Sequence, residues 1–197
     1  MEKQVWEEID NQLLKELRQL YKTLVERMKQ KWKRDLPLEE LLFDRWERAK
    51  QLGFGEGTSI YHNSYVYGDV KVGKYTWIGP FTILDGTGGL EIGDYCNISA
   101  GVQIYTHDTV KWALSGGKAE YERMPVKIGN CCYIGPLSVI TKGVEIGDNS
   151  LIGAFSLVNK NIPRNSIALG IPAKVVGKVE ISEEGDVKLI YFKKVIR

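Results

Sequence analysis

The segment IYTHDTVKWALSGGKAEYERMPVKI, residues 104–128, carries His107, one of two histidines in the chain. An imidazole titrates near neutral pH, so it can take a proton from an attacking hydroxyl or amine and return it to a leaving group. Its ring then needs an orienting acceptor. That acceptor is a carboxylate or a backbone carbonyl: Asp85 in TILDG, 22 residues upstream, is one candidate and Asp108 beside the histidine another, while Glu122 near the end of the segment is a candidate for the acceptor site. Other reactive side chains offer less. His62 stands far from the segment and reads as structural. The two histidines have no cysteine or carboxylate cluster at ligand spacing, so no metal is expected. Cys96, Cys131 and Cys132 show neither zinc nor redox spacing and have no paired base, which argues against a cysteine nucleophile. SGGK at 115–118 lacks the spacing and the strand-to-helix setting of a phosphate-binding loop.

A base of this kind needs a rigid frame, and the flanking sequence supplies one. Aliphatic residues stand at Ile60, Val66, Val72, Ile78, Leu84 and Leu90. The count slips by two, restarts at Ile92, Ile98 and Ile104, and resumes after the loop at Ile128, Ile134, Ile140, Ile146, Ile152 and Val158. Four places after the aliphatic, the residue is usually small or β-branched, as at Thr76, Thr82, Cys96, Val102, Cys132, Ser138, Val144, Ser150 and Ser156. Cys96 and Cys132 therefore read as packing residues. A period of six fits neither a helix nor simple strand alternation. It fits a solenoid in which each hexad forms one flat face, with Gly, Asn or Asp at the turn edges. Three hexads close a coil, so the fifteen marked hexads predict about five coils. In that frame His107 follows the last hexad before an irregular loop at 108–124, and Asp85 stands about one coil below on a nearby face. There it can orient the imidazole or bind the acceptor. Trp112 and Tyr121 flank the SGG hinge, where rings beside Lys and Arg suit a sugar or nucleotide diphosphate and equally suit packing on a neighbouring subunit.

The ends differ in period. Residues 6–34 carry Ile9, Leu13, Leu17, Leu20, Leu24 and Met28 at helical spacing. Pro37 and Leu38 open a second short helix through Leu41, Leu42, Trp46 and Ala49, stopped by Gly53. Residues 1–53 thus read as a helical cap over the first coil, 58–179 as the solenoid, and 180–197 as an edge segment with a turn at EEGD. The chain has 197 residues, 43% hydrophobic and 26% charged, which is a globular profile. A net charge of +2 gives no bulk field for nucleic acid or anionic membrane, and the basic run RMKQKWKR at 27–34 reads as a solvated helix end. No apolar run reaches membrane length, and the charged start lacks the apolar region of a signal peptide. A cytoplasmic protein is the plain expectation.

The hexads, the IYTHD with its loop, and the ending NKNIPRNSIALGIPAKVVGKV resemble the hexapeptide-repeat acyltransferases over residues 58–179. The nearest branch holds the sugar, maltose, galactoside and antibiotic O-acetyltransferases and the nucleotide-sugar N-acetyltransferases. The resemblance implies a mainly β fold: a left-handed parallel β-helix of about five coils with an N-terminal helical cap, a protruding loop and a short C-terminal strand segment. It implies a homotrimer with sites between adjacent subunits, acetyl-CoA in the groove between neighbouring solenoids, and direct transfer without an acyl-enzyme. The family's catalytic histidine falls on His107 and a carboxylate of its acceptor pocket on Asp85. Tyr133, Gly135, Gly153, Ala154, Ser156 and Lys160 are the expected groove residues, with Tyr133 where the family commonly has tryptophan. Pro163, Arg164, Ile171, Pro172, Ala173 and Lys174 would border the adenine and 3′-phosphate, and Trp112, Tyr121 and Glu122 would meet the acceptor. The expected activity is acetyl transfer from acetyl-CoA to a sugar or nucleotide-linked sugar, in the service of surface polysaccharide. An antibiotic or other small xenobiotic is the alternative acceptor. A carbonic anhydrase on the same solenoid would need three zinc-binding histidines, and a pure scaffold would leave the base, the loop and the tail unexplained.

Overall fold

The computed structural model describes residues 12–192; the expected start of the first helix at 6–11, with Ile9, and the last residues 193–197 lie outside the described residues. The chain divides into two compact units, Met1–Asp44 and Arg45–Arg197. In the first, α1 (Gln12–Trp32) carries the leucine stripe read from the sequence, with Lys29 and Lys31 in its last turn, where cations favour the helix dipole. It is followed by α2 (Leu38–Leu42), entered from the extended Pro37. The single second helix expected from the sequence is in fact two. Phe43 is extended (φ −122°, ψ 146°) and interrupts it before α3 (Arg45–Gln51). Asp44, of a type favoured just before a helix start, stands at the break.

The second unit is the solenoid. Its first coil holds β1 (Ser59–Ile60) and β2 (Tyr65–Val72), and its second β3 (Trp77–Ile78) and β4 (Ile83–Ile92). The third holds β5 (Asn97–Ile98) and β6 (Gln103–Ile104), then the excursion β7 (His107–Asp108), α4 (Val110–Leu114) and β8 (Glu122–Arg123), and returns through β9 (Val126–Ile128). The fourth holds β10 (Tyr133–Ile134), β11 (Val139–Ile140) and β12 (Glu145–Ile146), and the fifth β13 (Leu151–Ile152) and β14 (Leu157–Val158). Ile162 closes the third face of that coil by a parallel bridge to Ile146. All pairings between coils are parallel, with aliphatic above aliphatic: Ile60 on Ile78, Ile78 on Ile98, Ile98 on Ile134, Ile134 on Ile152. These side chains are fully buried, and the small residues expected beside them, Thr76, Cys96, Cys132, Ser138, Ser150 and Ser156, fill the remaining interior.

Two features departed from the simplest repeat. The corners place bulky residues, not only Gly or Asn, in the left-handed region, as at Tyr75 (φ 53°), Phe81 (φ 60°), Tyr95 (φ 55°) and Phe155 (φ 56°). The strain is offset by bonds between coils, such as Tyr95 N–H to the Lys74 carbonyl at 2.8 Å. One corner is also laced by side chains: Asp94, Asn130 and Asp148 each accept the backbone N–H of Lys74, Asp94 and Asn130 respectively, at 2.7–2.8 Å. The ends are covered as well. Arg48 of α3 donates to the carbonyls of Tyr61 and Ser64 on the first coil, the latter at 2.8 Å. At the other end β15 (Ser166–Gly170) continues the first face and pairs antiparallel with β16 (Ala173–Ile181), which pairs with β17 (Val187–Tyr191). The EEGD turn of the sequence joins β16 to β17.

Candidate active site

His107 Nδ1 lies 2.6 Å from Asp85 Oδ2. The two come together because β4 and β6 stack in register, Leu84 against Ile104, so the residues just past each aliphatic share one corner. Tyr67 pairs with Asp85 one coil below, and Tyr105 follows Ile104 one coil above. The aspartate is thus enclosed, at 1% exposure, in a ladder of Tyr67, Asp85 and Tyr105.

A buried carboxylate is costly unless hydrogen-bonded, and this one is saturated. Its Oδ1 accepts from the N–H of Thr87 at 3.0 Å and from the Thr87 hydroxyl, and its Oδ2 accepts from the Thr106 N–H at 2.9 Å and from His107. Burial alone would raise its pKa. The bonds from Thr87, Thr106 and His107 outweigh burial and hold it down at about 2. Asp85 is therefore an anion at neutral pH. A carboxylate only accepts, so Nδ1 carries the proton and Nε2 is the basic nitrogen of the neutral ring. The imidazole is 30% exposed, enough for a substrate to reach it.

The two-residue slip in the hexads forms the floor of this pair. Twenty residues separate Ile78 from Ile98 in register, against eighteen between Ile60 and Ile78. The two extra residues fall in Thr87–Gly88–Gly89, which stand opposite the single Asp69 of the coil below, at the corner that supplies the Thr87 donors. Gly88 N–H donates to Thr106 Oγ1 at 2.7 Å, and a Cβ on Gly88 would stand 2.4 Å from the Thr106 carbonyl oxygen. Only glycine fits there. Thr106 in turn donates its hydroxyl to the Asp85 carbonyl at 2.8 Å, which locks the residue before the histidine.

The loop at 108–124 is more ordered than its sequence reads. Its neck is a two-residue antiparallel pair, His107 with Arg123 and Asp108 with Glu122. Trp112 of α4 packs edge-on against Tyr121 at 5.7 Å between ring centres. Lys142, on the corner after β11, pairs with Asp108 and with Glu122, the latter at 3.0 Å, and Lys111 pairs with the other Glu122 oxygen. Lys142, Thr87 and Thr106 were not singled out from the sequence.

The expected cofactor residues divide among three sides. Tyr133 (43% exposed), Gly135, Gly153 and Ala154 lie on and just after β10 and β13, with Ile171, Pro172, Ala173 and Lys174 above them, where Lys174 pairs with Leu169. Lys160, two residues past Val158, is on the His107 corner. Pro163 and Arg164 lie past the third face; Arg164 borders a groove of about 690 Å³ with Lys71, Glu91, Lys127 and Glu145, away from His107. One expectation needs correction: Ser156 is 2% exposed and its hydroxyl accepts the Gly170 N–H, so it packs the interior and does not line a groove. Gly135 is also required by the coil itself, since a Cβ would meet the Ala154 backbone N at 2.5 Å; at Gly153 a Cβ would meet only the end of the Leu169 side chain. Among the described residues no cluster of His, Cys, Asp or Glu could hold a metal ion, and no helix is long and apolar enough to cross a membrane.

Residues 125–160 match the family described as Bacterial transferase hexapeptide (six repeats). The chain is 30% identical over 142 residues to galactoside O-acetyltransferase of Escherichia coli K12, which covers 62% of this chain and 68% of that protein. It is 30% identical over 129 residues to the bifunctional protein GlmU of Clostridium botulinum, covering 58% of this chain and only 26% of that one. Among solved structures, galactoside acetyltransferase in complex with coenzyme A matches with a TM-score of 0.59 at 29% identity, over 86% of this chain and 84% of that one. AntD, an N-acyltransferase from Bacillus cereus in complex with dTDP and 3-hydroxybutyryl-CoA, shares the fold with a TM-score of 0.55 at 22% identity, over 68% of this chain and 89% of that one.

Proposed function

This chain belongs to the bacterial hexapeptide-repeat transferases and is an acyltransferase, and on that premise we propose that it carries an acetyl group from acetyl-CoA to a hydroxyl or amine of a sugar or nucleotide-linked sugar, with His107 as general base. The observation that carries the reading is the His107–Asp85 pair at the foot of the loop. Acyl transfer needs the acceptor to lose a proton as it attacks the thioester carbonyl, and the departing thiolate to gain one. Nε2 takes the first proton, Nδ1 keeps its own on Asp85, and the imidazolium returns the proton to sulfur. The anionic Asp85 holds the ring in the tautomer that leaves Nε2 basic, and stabilises the positive charge that develops on it. Asp85 acts through His107, and a role in contacting the acceptor belongs to the same proposal.

The division of the cofactor residues supports a site completed by a second copy. His107 and Lys160 share one corner, while Tyr133, Gly135, Ala154 and Lys174 lie along another. Packing three solenoids side by side lets one subunit's first side face its neighbour's His107 corner. Exposed Ala154 leaves room for a pantetheine arm, and Lys160 and Lys174 supply cations for its phosphates. Trp112, Tyr121 and the ladder residues Tyr67 and Tyr105 give aromatic faces near the base, suited to a sugar ring. Cytoplasmic location and a role in polysaccharide synthesis are carried by the family alone.

The test is an acceptor screen. Acetyl-CoA is supplied, and thiol release is read over nucleotide-linked amino sugars, free sugars and streptogramin-type compounds. Acceptor-dependent release with a sugar or nucleotide sugar is expected. Release with the antibiotics alone would overturn the acceptor class, and no release with any acceptor would overturn the reading.

A further inference from the structure

We propose that Lys142 is a positioning residue for His107, clasping the neck of the acceptor loop and balancing the carboxylates beside the imidazole. The inference rests on His107 being the base. The neck is a pair of strands only two residues long, from which α4 and the SGG turn project. A two-stranded ribbon of that length does not hold itself. What holds this one comes from the coil above. Lys142 reaches Asp108 on one strand and Glu122 on the other, which face each other in register. Its side chain is 20% exposed, against 67% for that of Lys111, the other cation paired with Glu122. The corner itself is packed: Gly143 follows Lys142 at φ 78°, and a Cβ on Gly143 would stand 2.8 Å from Met124 Cε. Met124 N–H also donates to the Thr106 carbonyl at 2.9 Å, so the loop exit, the residue before the base and the Lys142 corner form one unit.

The charges tell the same story. At the neck, Asp85 from β4 bonds His107, Asp108 adjoins it, Arg123 of β8 pairs with it in register, and Glu122 of β8 is met by Lys111 from α4 and Lys142 from the next coil. Asp108 is held below the usual carboxylate range, first by Lys142 and then by the Val110 N–H, while Glu122 is lowered by Lys111 and Lys142. Lys142 is raised by Asp108 and Glu122 in return. All three keep their charge through neutral pH. Without Lys142, the Asp108 carboxylate next to the base would lose its paired cation, and the imidazolium would be favoured over the neutral ring that accepts a proton.

The test is NMR titration of the histidine ring signals in the whole protein. The chain has two histidines, so His107→Ala identifies the signal of His107. Lys142→Met, which keeps the stem and removes the charge, should raise the His107 midpoint by about 0.5 in pH, and Lys142→Arg should leave it near wild type. Adding Asp108→Asn to Lys142→Met should bring it back. With the acceptor from the screen, Lys142→Met should lower kcat about tenfold with KM for acetyl-CoA unchanged. A folded Lys142→Met protein with wild-type midpoint and kcat would overturn the proposal. Should that variant fail to fold, Asp108→Asn alone gives the same test with opposite sign: the midpoint should fall, and an unmoved midpoint overturns the proposal. His107→Ala separates the two ideas. Retained transfer in it removes the base reading; lost transfer beside an unaffected Lys142→Met removes only the clasp.

Discussion

Replacing Asp85 by asparagine removes a charge with almost no change in volume, and its consequences can be worked through. Wild-type Asp85 is held at about 2 by the Thr87, Thr106 and His107 donors. An unfolded aspartate titrates near 3.9, so the difference corresponds to roughly 2 to 3 kcal/mol of stability at neutral pH. The folded value is depressed. The contribution is therefore complete above the unfolded value and is lost as pH falls through the folded one. Urea unfolding of wild type and Asp85→Asn should differ by that amount at pH 7, and the gap should close as pH falls from about 4 to 2. Acetyl transfer should fall about a hundredfold, because Nδ1–H loses its anionic acceptor and the ring its fixed tautomer. A variant as stable as wild type at pH 7, a gap that ignores pH, or a transfer rate within a few-fold of wild type would each refute the reasoning.

Other substitutions probe the frame. Gly88→Ala forces a Cβ to within 2.4 Å of the Thr106 oxygen and should lower stability by about 1–3 kcal/mol, read by thermal melting, with loss of transfer as Thr106 shifts. Arg48→Ala strips the donors from the Tyr61 and Ser64 carbonyls and should lower the melting temperature, at a cost of about 1–3 kcal/mol, while kcat stays at the wild-type value. Trp112→Ala removes the ring packed on Tyr121; a raised KM for the acceptor with unchanged KM for acetyl-CoA is the expected split in steady-state kinetics.

The solenoid was legible in the sequence because each hexad repeats one packing problem. A large aliphatic must fill the interior, as Ile78, Ile98 and Ile134 do, and a small residue must sit beside it, as Thr76, Cys96 and Cys132 do. Even the slip by two residues was visible, and it marks the corner on which Asp85 depends. Corner chemistry was less legible. Lys142 is 34 residues from Asp108 and meets it only because the coils stack, and nothing local in TKGV marks it. The neck strands carry no pattern, being two residues each. The cofactor residues read as a groove set ending at Lys160 and a terminal set holding Arg164 and Lys174, but a coil turns corners, so Lys160, Arg164 and Lys174 emerge on different sides. Ser156 was misplaced for the same reason: its hexad position points inward.

The central claim is that His107 moves the proton. The most direct measurement compares His107→Ala with wild type in acetyl-CoA-dependent thiol release, using the acceptor from the screen, alongside sedimentation to confirm that the assembly is unchanged. The account predicts intact assembly and a rate at least about a hundredfold lower. Near-wild-type turnover in an intact His107→Ala protein would contradict it.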